Sequence, residues 1–90
     1  MYNIEYTSKF KKDYKLALKR GHDESLIQKV ISFLVHGTPL NAKFKAHKLS
    51  GDHKDCWECH LQPDWLLIWQ IDEDNKTLTL IRTGTHSDLF

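Results

Sequence analysis

His86 follows Arg82 by four residues and precedes Phe90 by four, so one short stretch carries a cation, a titratable imidazole and an aromatic ring. That set suits holding a phosphate, moving a proton and stacking a base. A second group lies around the turn Gln62-Pro63-Asp64, which His60 and Asp64 flank, and His47 lies upstream of it. The chain has six histidines in 90 residues, and His47, His53, His60 and His86 all fall in its strand-rich half. A hairpin next to a strand end can bring these groups into one shallow groove. Cleavage of RNA needs that combination: a base for the 2′-OH proton, a cation for the phosphorane and an acid for the leaving 5′-oxygen. With the 2′-oxygen as nucleophile no metal is required.

Cys56-Trp57-Glu58-Cys59-His60 also matches the Cys-x-x-Cys-His pattern of c-type haem attachment. Haem attachment needs an export route and a second axial ligand, yet the N-terminus lacks the apolar block of a signal peptide and the single methionine is Met1. A thioredoxin-like pair opens a helix, whereas residues 56–61 alternate like a strand. In a strand Cys56 and Cys59 point to opposite faces. The same opposition weakens a zinc site built from Cys56, Cys59, His53 and His60. Cys59 is therefore read as a small core residue and Cys56 as incidental, with no metal and no cofactor expected.

The elements that must position these residues follow from periodicity. Residues 2–6 alternate as a half-buried strand. Ser8 is the expected cap of a first helix whose inward face is Phe10, Tyr14, Ala17 and Leu18, with Lys9, Lys11, Lys12, Lys15 and Lys19 mostly on the other side, and Gly21 ends it. Asp23 caps a second helix with a broad apolar face from Leu26 to Val35, stopping at Gly37-Thr38-Pro39. The short connection predicts an antiparallel helical hairpin.

Beyond Phe44 the period becomes two. Residues 44–49 form a short segment containing His47, which ends at Ser50-Gly51-Asp52. Residues 56–61 direct Trp57, Cys59 and Leu61 one way and Glu58 and His60 the other. Residues 65–71 are nearly continuous apolar sequence, the pattern of a strand buried on both faces and hence central. The polar turn 72–76 leads to a last strand, after which Gly84 turns the chain toward His86. Residues 1–90 thus read as one α+β domain, an N-terminal strand and a two-helix hairpin packed on a small antiparallel sheet.

At 40% hydrophobic and 28% charged residues the chain reads as a soluble globule rather than a disordered one. No apolar run approaches the ~20 residues of a membrane helix, so a cytoplasmic protein is expected. The net charge of +1 hides an asymmetry of +6 in residues 1–50 against −5 in residues 51–90. A basic face for a polyanion or an acidic partner follows from that division.

Three blocks resemble a known family: His47-Lys48-Leu49-Ser50-Gly51, then His60-Leu61-Gln62-Pro63-Asp64-Trp65-Leu66-Leu67-Ile68, then residues 82–90. They are similar to the signature blocks of YafQ-type toxins in the RelE/ParE superfamily of bacterial toxin-antitoxin systems, and the likeness spans essentially the whole chain. The resemblance implies a RelE-like fold and an endonuclease that cuts mRNA in the ribosomal A site. It further implies an acidic cognate antitoxin that wraps and silences the toxin, and contact with operator DNA only through that antitoxin. Carried over, it implicates His86 as proton donor and Arg82 as phosphate-stabilising cation. His47, His60 and Asp64 become candidates for base and positioning, and Phe90 and Lys48 become substrate contacts.

Two departures stand out. Relatives often have an arginine near Trp57 or Glu58, a contact absent here or supplied by Lys54, and Trp69 replaces a common tyrosine. The alternatives are a ParE-like toxin that binds a topoisomerase without chemistry, and a stand-alone RNA-binding or metal-binding module. The several titratable groups at strand ends argue against a pure binder.

Overall fold

The computed structural model describes residues 1–51 and 55–90. The elements run β1 (Asn3–Tyr6), α1 (Ser8–Lys19), α2 (Glu24–Val35), a 3₁₀ turn (Ala42–Phe44), β2 (His47–Lys48), β3 (Trp57–Gln62), β4 (Trp65–Asp72), β5 (Thr77–Gly84) and α3 (His86–Leu89). They form one five-stranded sheet in the order β1-β5-β4-β3-β2. The continuous apolar run of β4 takes the centre, where Trp65, Leu66, Leu67, Ile68 and Trp69 are all buried. The α+β class holds, with β2 to β5 antiparallel as the turns dictate. β1 instead pairs with β5 in parallel, from Asn3 opposite Thr77 to Tyr6 opposite Leu80, because the chain between them provides the long crossover that parallel pairing requires.

Helix α2 begins at the expected cap, Asp23, whose carboxylate accepts the Ser25 backbone N–H, and buries Ile27, Val30, Ile31 and Leu34. Helix α1 is capped one residue earlier than expected. Thr7, not Ser8, accepts the Phe10 N–H at 2.9 Å and donates to the Ile81 carbonyl at 2.7 Å, so the cap also fastens the helix to β5. Phe10 and Ala17 are buried as expected, but Leu18 is exposed. The inward stripe runs through Asp13 instead, which is held by β5. Tyr14 links the helices, donating to Glu24 and accepting from Gln28.

Phe44 does not open a strand. Asn41 caps a 3₁₀ turn that buries Phe44, and Lys45 leaves it in the left-handed conformation at φ 53°, which confines β2 to His47 and Lys48. Gly51 has φ +69° at the expected turn, whose next residue, Asp52, lies outside the described residues together with His53 and Lys54.

Candidate functional site

Three imidazoles lie in a row across the ends of β2, β3 and α3. The ring centroids of His47 and His60 are 6.4 Å apart, and those of His60 and His86 are 5.8 Å apart. Strand pairing builds the first half of the row. His47 stands opposite Glu58 in the β2–β3 ladder, and His60 lies two residues beyond Glu58 on the same face of β3. Cys59 and Leu61 alternate with them into the core.

Glu58 is the residue that sequence reasoning missed. Alternation directed it outward with His60, but it is only 6% exposed. Its Oε1 lies 3.5 Å from His47 Nε2 and 3.8 Å from His60 Nε2. A carboxylate taken out of water needs such partners, since desolvation is costly without compensation. The His47 Nδ1–H donates to the Lys45 carbonyl at 2.8 Å, which leaves Nε2 as the nitrogen aimed at Glu58. The usable signal was the acid two residues before a histidine, with a second histidine available from a neighbouring strand.

The second half of the row is built differently. Asp64, at the tight turn between β3 and β4, accepts both the backbone N–H of His86 at 2.9 Å and its Nδ1–H at 2.6 Å. These bonds stabilise the charged carboxylate and draw the Asp64 pKa below the ordinary range, the backbone bond first and the ring bond next. The carboxylate fixes which ring nitrogen is protonated and leaves Nε2 for the groove. His86 is the first residue of α3, a single helical turn closed by a reciprocal capping box between Thr85 and Asp88. Gly84 does not supply the turn through an unusual backbone angle. It lies at the buried end of β5, where a Cβ would meet the Asp88 side chain at 3.0 Å.

The structure thus brings His47, His60, Asp64 and His86 together. It does not bring Arg82 or Lys48 into the row in the same way. Arg82 is gripped by Asp13 of α1, with Nε to Oδ2 at 2.6 Å and Nη2 to Oδ1 at 3.1 Å, while Oδ2 also accepts the Thr83 N–H at 3.2 Å. Lys48 pairs with Trp57 and carries its Nζ 5.7 Å from that ring, since neighbours in a strand face opposite ways and His47 already faces the row. Phe90 closes α3, its N–H donating to the His86 carbonyl at 2.9 Å, and the residue is 63% exposed.

Burial pushes the Cys59 thiol up to about 12, with the Glu58 charge adding to it, and burial also raises that of Cys56. Neither thiol is poised as a nucleophile. Among the described residues no three His, Cys, Asp or Glu side chains are arranged to hold a metal ion.

Residues 2–90 match the family described as the YafQ bacterial toxin of type II toxin-antitoxin systems. The chain belongs to the YafQ family. It is 40% identical over 89 residues to the mRNA interferase toxin YafQ of Escherichia coli K12, covering 98% of this chain and 95% of that one. The metal-bound toxin from Helicobacter pylori superposes with a TM-score of 0.94 at 48% identity, over the full length of both chains. The toxin of the E. coli DinJ-YafQ complex gives 0.92 at 38% identity, covering 100% of this chain and 99% of that one. A YafQ-family toxin is therefore what the three sequence blocks encode.

Proposed function

We propose that the protein is an mRNA interferase that cuts message in the ribosomal A site by attack of the 2′-oxygen on the adjacent phosphate. The observation that carries this reading is the His60–His86 pair, two imidazoles with ring centroids 5.8 Å apart, His86 bonded to Asp64 and His60 lying 3.8 Å from Glu58, which it shares with His47. His60, beside His47 and over Glu58, takes the 2′-OH proton as the new P–O bond forms. His86, oriented by Asp64, protonates the 5′-oxygen as the old P–O bond breaks, leaving a 2′,3′-cyclic phosphate and a free 5′-hydroxyl. The Asp13 pair uses Nε and Nη2 of Arg82 and leaves Nη1 for the phosphorane. Phe90 stacks on a base.

The family and the DinJ-YafQ complex of the E. coli relative support a cognate antitoxin as the partner. Its acidic segment meets the lysines of α1, and operator DNA is reached only through it. No helix among the described residues is long and apolar enough to cross a membrane, in keeping with action on cytoplasmic ribosomes. No step of this reaction runs through the metal that the H. pylori relative holds. Induction of the chain in cells with mapping of transcript 5′ ends tests the function. Codon-phased cuts are expected, whereas DNA damage with intact message would place the activity elsewhere in the superfamily.

A further inference from the structure

The geometry points to α1 as the element that positions His86, through two side chains, Asp13 and Arg20, that lie outside the histidine row. The inference rests on the acid role proposed for His86. Asp13 and Arg20 are seven residues apart in one helix, two turns, and so share a face. Each reaches across to the segment that carries His86, on opposite sides of it. Asp13 takes the Arg82 guanidinium and the Thr83 N–H before it. Arg20, the C-cap of α1, pairs with Asp88 after it, Nη1 to Oδ2 at 2.6 Å and Nη2 to Oδ1 at 3.4 Å.

A helix of four residues has no means of holding itself, because its nucleus forms few hydrogen bonds for the dihedrals it fixes. The place of His86 is therefore set by what grips α3. Asp88 is the centre of that grip. It accepts the Thr85 N–H at 3.0 Å, takes Arg20 on the same oxygen, and rests against Gly84, where any Cβ would displace it. Asp64 holds His86 from the other side.

Exposed ion pairs contribute little to global stability, and the Arg20 side chain is 41% exposed. The effect of the pair is thus local, on where the imidazole points rather than on whether the domain folds. Arg20 and Asp13 are positioning residues.

The test compares R20Q and D88N in the full chain, measuring single-turnover cleavage of ribosome-bound message and, separately, ribosome affinity. The two changes alter net charge in opposite directions, so an effect through RNA electrostatics moves them oppositely, while a positioning effect lowers both. The expected result is a loss of roughly 10-fold in cleavage rate for each, with ribosome affinity nearly unchanged and R20K, which keeps the charge, in between. Amide exchange at Leu89 and Phe90, which donate to the Thr85 and His86 carbonyls, should quicken in both variants while β4 amides stay protected. Opposite rate changes, or unchanged rate and unchanged exchange, would overturn the inference. If the wild-type chain does not cut message, the nuclease reading fails by itself, and the exchange at Leu89 and Phe90 still decides this one.

Discussion

The two halves of the histidine row achieve the same end by different means. His47 and His60 are mounted on paired strands above Glu58, whose side chain is 8% exposed, so the ladder and the core fix them. His86 is mounted on one turn of helix and oriented by Asp64, whose side chain is 65% exposed, so it depends on contacts reaching in from α1 and from the β3–β4 turn. The proposed base is thus built into the sheet, the rigid half of the row, and the proposed acid is held by straps from other elements, the adjustable half. That difference can be broken from either side.

The largest effect is expected from removing the adjustable partner itself. H86A should lower single-turnover cleavage by about 10²-fold or more, the scale of a lost general acid, with little change in ribosome affinity. Retention of more than a tenth of the wild-type rate would mean that His86 is not the acid.

A smaller loss is expected from the rigid half. E58Q preserves shape while removing the charge under His47 and His60, and should slow cleavage by roughly 10-fold, within the range assigned to a supporting group. E58A should additionally lower thermal stability, because it opens space beneath both rings. A cleavage rate for E58Q equal to wild type would reduce Glu58 to a packing residue.

These two halves were not equally legible in the sequence. His60, Asp64 and His86 stand within motif blocks, and the apolar run of β4 announced the central strand against which β3 and β5 pair. Glu58 and Asp13 were invisible for one reason: their roles depend on partners from other elements. Period-two reasoning sees one strand at a time, so it directed Glu58 to solvent without knowing that His47 would lie across from it. Asp13 is the single acid of α1, and nothing near it in sequence points to its partner 69 residues away. Local competition explains the other differences. Asn41 and the left-handed Lys45 turned Phe44 into a 3₁₀ corner, and Thr7 took the cap from Ser8 because it also had Ile81 to bind.

The smallest expected effect concerns acid. Arg20 and the Thr85 N–H draw the Asp88 pKa down to about 2, and the bonds from His86 lower that of Asp64. A depressed carboxyl contributes stability that is complete above its unfolded value, 3.8, and is lost as pH falls through the folded one. The grip on α3 should therefore persist at pH 4 and loosen only as pH approaches 2. Amide signals of Leu89 and Phe90 followed by NMR check this, and loosening of α3 already at pH 5, with the sheet intact, would contradict it.

The central claim, that the row is a metal-free acid–base pair acting on a 2′-oxygen, is tested most directly with one modified message. A single 2′-deoxy residue 5′ to the scissile phosphate should leave ribosome binding unchanged and abolish cleavage, while a chelator that spares the ribosome leaves cleavage of the unmodified message intact. Cleavage of the 2′-deoxy message would mean that water is the nucleophile and would contradict the account.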